Sequence, residues 1–186
     1  EAGAQLLLVL NASPFHVGKG LEREVQMGQR VQNCGLPLVY AHLVGGQDEV
    51  IFEGRSFALN AKADVVARAP AFQECMPTIT VDSTAVEGQL NITGTLASGG
   101  GSWQEDLWHA LVLGIRDYLG KNGFPGALLG LSGGIDSALV LALAVDALGA
   151  DKIHAVMMPS QYTADISWID SREMVKRLGV RYDEIA

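Results

Sequence analysis

The chain has 186 residues, enough for one or two domains with sizeable cores, and 48% of them are hydrophobic, which excludes a disordered polymer. Its 21 acidic residues against 13 basic ones give a net charge of −8, so it carries no electrostatic footprint for a nucleic acid. The longest apolar run, Ala138–Val145, is far below a membrane span, and no charged leader with a cleavage site opens the chain. Cys34 and Cys75 are isolated, without metal-ligand spacing or a disulfide framework, so a cytoplasmic protein is the default expectation.

Residues 5–19, QLLLVLNASPFHVGK, predict a buried strand followed by an Asn-Ala-Ser-Pro turn. Leu21, Val25 and Val31 predict one face of a helix that Gly35 ends, with Cys34 as a buried structural thiol. Leu36–Val44 is a second apolar strand, followed by a turn at Gly45-Gly46-Gln47-Asp48, and Gln47-Asp48-Glu49 reads as solvated. Phe52–Asn60 and Asp64–Arg68 predict a hairpin around Asn60-Ala61-Lys62-Ala63. From Ser83 to Ser102 the periodicity is lost and the residues turn small and polar, which predicts a flexible linker. Ser102 and Glu105 have capping-box spacing, and Leu107, Trp108, Leu111, Val112, Ile115, Tyr118 and Leu119 form the apolar stripe of the next helix. Ala127–Leu131 then predicts a buried strand, Asp136–Leu148 an apolar helix and Ile153–Met158 another strand. A helix over Ser167–Leu178, with Ser167 and Asp170 at capping spacing, and a strand from Val180 to Ile185 complete the pattern. This alternation implies a parallel sheet built from right-handed crossovers.

The stretch between the first two of these later elements carries the chemistry. Gly133 and Gly134 let the backbone turn sharply and approach a ligand closely. Free N–H groups in such a turn, next to a helix N-terminus, form an anion site, most naturally for phosphate. Ser132 and Ser137 can donate hydroxyls to phosphate oxygens. A carboxylate at Asp136, in a place that favours anions, makes sense if Mg²⁺ sits between it and the phosphate. The Walker loop is excluded, because residues 130–137 contain no lysine. Gly130-Leu131-Ser132-Gly133-Gly134 also matches the G-x-S-x-G elbow of serine hydrolases, which needs an acid and a histidine further along. The only later histidine, His154, falls inside the next apolar strand.

The hexapeptide Ser132-Gly133-Gly134-Ile135-Asp136-Ser137 resembles the SGGxDS signature of the PP-loop ATP pyrophosphatases. That resemblance implies cleavage of ATP between its α and β phosphates and transfer of AMP to an oxygen. The implied ATP-binding residues are Gly130, Leu131, Ser132, Gly133, Gly134, Ile135, Asp136 and Ser137, with Asp136 the Mg²⁺ ligand. In the first third of the chain, the order strand–helix–strand–hairpin resembles the second half of a nitrilase domain. The pieces NASPFHVGK, GLPLVYAHLVGGQDE, FEGRSFALN and VMMPSQYTADIS are similar to glutamine-dependent NAD⁺ synthetases, which join these two modules in the same order.

The resemblance implies an α/β fold in two parts. Residues 1–82 would be the C-terminal part of a nitrilase-type α-β-β-α sandwich and 83–102 the linker. Residues 103–186 would begin a Rossmann-like parallel α/β domain. It implies deamido-NAD⁺, ATP and glutamine as small-molecule substrates, no nucleic acid or membrane, and a homo-oligomer. Ser13 and Lys19 fall at the implied glutamine-binding positions, where a lysine can pair with a carboxylate. His16 between them reads as a surface histidine, and Ser160 and Tyr162 would border the adenylate at a strand's carboxyl end. The implied cysteine, glutamate and lysine of the glutaminase belong to segments before Glu1, so no glutaminase catalytic residue is expected within this chain.

Overall fold

The computed structural model describes residues 3–82, 90–98 and 101–185. They fall into two compact units, one of residues 1–45 with 49–110 and one of residues 46–48 with 111–186.

The first unit is built on a four-stranded sheet of order β1-β2-β5-β6, formed by Leu7–Asn11, Leu38–His42, Phe57–Leu59 and Val65–Arg68. β1 and β2 are parallel, because helix α1, Lys19–Cys34, returns the chain between them. The remaining pairs are antiparallel. The β5–β6 turn is an Asx turn: the Asn60 side-chain oxygen accepts the N–H groups of Lys62 and Asp64, each at 2.9 Å. Alternation along the strands separates two cores. Val31 of α1 packs with Leu38, Tyr40, Phe57 and Leu59 on one face, and Ala58, Ala67 and Ile92 pack on the other. Between β2 and β5 lies the hairpin β3–β4, Val44–Gln47 and Val50–Glu53. Its turn is tighter than the expected Gly45–Asp48, since both glycines extend the strand and Asp48 takes the positive φ of 50°.

Helix α1 ends where Gly35 adopts φ 69° and donates its N–H to the Val31 carbonyl, as the glycine predicted. Its buried face differs from the predicted one. Val31 is buried, but Leu21 and Val25 are 55% and 61% exposed, and the residues buried with Val31 are Arg23 and Gly28. Cys34 is exposed rather than buried, because it is the last residue of the helix and its thiol reaches only the Val31 carbonyl, at 3.7 Å.

Within the stretch read as a linker, Asn91–Gly94 form strand β8, antiparallel to β7, Ile79–Asp82. Ile92 is wholly buried there, since a β-branched residue between polar neighbours places one apolar side chain on the sheet of the first unit. Residues 83–89 and 99–100 of that stretch lie outside the described residues.

Helix α2, Trp103–Lys121, starts with the expected cap, the Glu105 N–H donating to the Ser102 hydroxyl at 3.3 Å. Its most buried positions are Ala110 and Leu113, whereas Leu107, Leu111 and Tyr118 of the predicted stripe are exposed. The second unit then runs β9 (Ala127–Gly130), α3 (Ile135–Leu148), β10 (Ile153–Met157), α4 (Asp165–Leu178) and β11 (Arg181–Glu184). The three strands are parallel in the order β11-β10-β9. Leu141 and Ala144 of α3 and Val175 of α4 close one core over Leu131, Ile153 and Ala155. β9 is an edge strand whose Ala127 and Leu129 join that core, while Leu128 faces the other way and is 72% exposed. Among the described residues, no helix is long and apolar enough to cross a membrane.

Candidate functional site

The turn between β9 and α3 sits at the carboxyl end of the parallel sheet. Leu131 is buried and its N–H donates to the Val156 carbonyl at 2.8 Å, so the loop is tied to the central strand β10 before it turns. Gly133 has φ 80°, and a Cβ built on it would lie 2.5 Å from both the Cα and the carbonyl oxygen of Ser167. Only glycine allows the loop to lie against the first turn of α4. Gly134 follows in extended conformation and caps α3.

The two serines lock the turn. Their hydroxyls are 3.0 Å apart, the Ser132 N–H donates to the Ser137 hydroxyl at 3.2 Å, and the Gly134 N–H donates to the Ser132 hydroxyl at 3.3 Å. The Ser137 hydroxyl in turn donates to the Gly134 carbonyl at 3.0 Å. The first helical bond of α3 runs from the Ala138 N–H to the Gly134 carbonyl at 3.1 Å. The amides of Ile135, Asp136 and Ser137 therefore lie at the open, positive end of the helix. Asp136 is exposed in that first turn. A rigid turn and a helix N-terminus can receive an anion, the two hydroxyls can join once they rotate away from the Gly134 carbonyl and from each other, and one exposed carboxylate can share a divalent cation with it. Among the described residues no group of three or more His, Cys, Asp or Glu could hold a metal ion.

The hydrolase reading finds no support in this geometry. Ser132 is engaged with Ser137, while His154 contacts the Asp183 carboxylate at 2.7 Å, on the neighbouring strand. Ser160 and Tyr162 occupy the turn after β10, where Ser160 accepts the Tyr162 N–H at 3.2 Å and the ring of Tyr162 is 86% exposed. Helix α4 begins two residues earlier than expected. Asp165 occupies its first turn, where the helix dipole favours a carboxylate, so Ser167 lies inside the helix rather than capping it.

In the first unit, Ser13 and Lys19 flank the turn between β1 and α1, both half-buried, with His16 exposed between them. The Lys19 N–H closes the turn onto the His16 carbonyl at 3.1 Å. Beneath Ser13 lies a buried polar group that sequence reasoning passed over. Arg23 of α1 forms an ion pair with Glu53 of β4, and its Nη2 also donates to the Ser13 carbonyl at 3.3 Å. His42, at the end of β2, accepts the Ser13 N–H on Nε2 at 3.2 Å. Burial pushes the His42 imidazole below its ordinary pKa, and the Arg23 guanidinium adds to this while Glu53 opposes it. The sequence offered only an arginine off the predicted apolar face of α1 and a glutamate inside the predicted strand Phe52–Asn60. Only their pairing makes either position intelligible.

The family described as NAD synthase matches residues 107–186, the stretch that holds the 132–137 turn. The whole chain aligns with glutamine-dependent NAD(+) synthetases, at 44% identity over 99% of its length for that of Rhodobacter capsulatus and 42% over 100% for that of Synechocystis. In each case it spans about a third (33%) of the relative's own length. The solved glutamine-dependent NAD⁺ synthetase of Acinetobacter baumannii, in complex with ADP, superposes with a TM-score of 0.90 at 40% identity. That match covers 97% of this chain and 34% of the other. The synthetase of Cytophaga hutchinsonii, at 18% identity and a TM-score of 0.76, shares the fold. Over nearly its whole length the chain is similar to part of the glutamine-dependent NAD(+) synthetases, and its mixed α/β fold is the expected one.

Proposed function

We propose that this chain is the central part of a glutamine-dependent NAD⁺ synthetase acting in the cytoplasm as a homo-oligomer. The reaction of the whole protein would be deamido-NAD⁺ + ATP + glutamine + water → NAD⁺ + AMP + pyrophosphate + glutamate. The observation that carries the reading is the 132–137 turn, with its paired serines and a glycine that admits no side chain against α4.

In this reading the amides at the start of α3 and the Ser132 and Ser137 hydroxyls hold the β and γ phosphates of ATP, the part that leaves as pyrophosphate. Preorganised donors such as these amides stabilise charge as it develops, without reorganising at the moment of reaction, whereas the hydroxyls rotate onto the phosphates as ATP binds. Asp136 would hold Mg²⁺, which neutralises charge at the breaking α–β bond. The nicotinate carboxylate would take up AMP, and ammonia released from glutamine elsewhere in the protein would displace it. Ser13 and Lys19 would bind the amino-acid end of that glutamine, Lys19 pairing with its carboxylate. The domain limits 1–82 and 103–186 are part of the same proposal, with strand β8 of the intervening stretch added to the first unit.

An assay of the full-length protein with ATP and glutamine tests it, comparing deamido-NAD⁺ with xanthosine monophosphate and aspartate as acceptors. NAD⁺ and AMP formed only with deamido-NAD⁺ is the expected result. Turnover of either other acceptor in its place would make the protein a different PP-loop amidotransferase.

A further inference from the structure

The buried polar group under Ser13 is not explained by stability. A buried ion pair contributes little or nothing over well-packed apolar residues of the same volume, because desolvation offsets its attraction. Arg23 and Glu53 are nevertheless both buried, on α1 and β4, and His42 is buried on β2. Arg23 and His42 converge on the backbone of Ser13, and Glu53 holds Arg23. The Ser13 carbonyl accepts from Arg23 Nη2 at 3.3 Å, and the Ser13 N–H donates to His42 Nε2 at 3.2 Å. Ser13 lies beyond the end of β1, so neither group has a place in the sheet ladder, and side chains 10 and 29 residues away supply the partners.

Each clamp residue is itself held. Glu53 receives Arg23 through both carboxylate oxygens, the second at 3.4 Å. The His42 backbone N–H donates to the Ser56 hydroxyl at 2.9 Å, and the His42 ring stacks on Tyr40 with 6.0 Å between centroids. A histidine that accepts an N–H must be neutral on that nitrogen. Burial first, and then the neighbouring guanidinium by opposing a second positive charge, favour the neutral imidazole.

We propose that Arg23 and His42 are positioning residues for the glutamine site, fixing the Ser13 peptide from both sides so that the Ser13 hydroxyl is held in register with Lys19. The inference rests on the reading of Ser13 and Lys19 as glutamine-binding residues. Glu53 orients Arg23 and neutralises it; it does not touch Ser13. The clamp is local, and all of its members belong to the first unit.

The test uses the full-length protein with glutamine as donor, and the rate with ammonia in place of glutamine normalises each preparation. His42→Leu removes the acceptor at nearly constant size. His42→Gln keeps a carbonyl oxygen able to accept the Ser13 N–H. We expect His42→Leu to raise the KM for glutamine about tenfold with kcat changed less than about threefold, and His42→Gln to restore most of the loss. Arg23→Met combined with Glu53→Gln, which leaves no buried charge unpaired, should raise KM in the same way. Ser13→Ala tests the underlying reading: an unchanged KM in that variant removes the glutamine site and the clamp's role with it. A raised KM in Ser13→Ala beside an unchanged KM in His42→Leu would overturn the clamp alone. Equal losses in His42→Leu and His42→Gln, or a loss confined to kcat, would do the same. If His42→Leu does not fold, the comparison of His42→Gln with the Arg23/Glu53 double variant decides.

Discussion

Gly133 offers the sharpest test of the nucleotide loop, because two independent penalties act at one Cβ. At φ 80° an alanine sits in the left-handed region, at a cost of about 1–2 kcal/mol. The same Cβ would stand 2.5 Å from the Ser167 Cα and carbonyl oxygen and 2.7 Å from its Cβ, all parts of a helix that cannot swing away like a flexible side chain. Such overpacking adds about 1–3 kcal/mol, for a total of about 2–5 kcal/mol. Gly134 is the matched control: its φ is −89° and the nearest atom to a built Cβ is the Ser132 hydroxyl oxygen at 3.5 Å, an ordinary contact. Gly134→Ala should therefore cost no more than about 1 kcal/mol, mainly through the poorer cap. Relief of the clash in Gly133→Ala requires the loop and α4 to separate, which would spread the serine pair and disorganise the anion site. We expect Gly133→Ala to lower the melting temperature of the full-length protein by several degrees and ATP–pyrophosphate exchange by at least about tenfold. Gly134→Ala should stay near wild type in both. Indistinguishable behaviour of the two variants would refute the steric argument and the loop geometry behind it.

Asp136→Asn keeps the shape and the helix-start preference but removes a charge, so folding should survive while ATP–pyrophosphate exchange falls by orders of magnitude; near-normal exchange with unchanged Mg²⁺ dependence would leave Asp136 a helix-start residue only. Ile92→Ala, at a wholly buried position, should destabilise the first unit by about 2–5 kcal/mol in thermal or urea unfolding, whereas the same change in a true linker would be silent. His42 titrates below its ordinary value of 6.5 when folded, so the unfolded chain binds the proton more readily and stability rises with pH across that interval. The His42 contribution is thus complete above about pH 6.5 and is lost as pH falls towards the folded pKa; His42→Gln should flatten that part of the stability profile, and an unchanged slope would refute the assignment.

Local chemistry was legible in the sequence wherever it resides in contiguous residues. Gly35 ended α1, Ser102 capped α2, Asn60 shaped its hairpin, and Ser132–Ser137 formed a strand–turn–helix loop with a helix N-terminus at its centre. Each depends on backbone conformations and side-chain bonds spanning a few positions, which residue type alone constrains. Which face of a helix is buried was another matter. Periodicity marked Leu21 and Val25, yet Arg23 and Gly28 are buried instead, and α2 buries Ala110 and Leu113 most deeply while Leu107, Leu111 and Tyr118 of its apolar stripe are exposed. Cys34 and Ile92 changed places with expectation in the same way, the thiol exposed and the supposed linker residue in the core. Burial depends on what packs against an element, and the partners of these residues are distant in sequence. The Ser13 clamp joins α1, β2 and β4, and the clash that forbids a side chain at Gly133 comes from Ser167, 34 positions on. The sequence by itself determined the residue types of the 132–137 turn and of the turn that carries Ser13 and Lys19. Only the tertiary structure decided how tightly each is held, because that depends on contacts that exist only once remote segments have packed together.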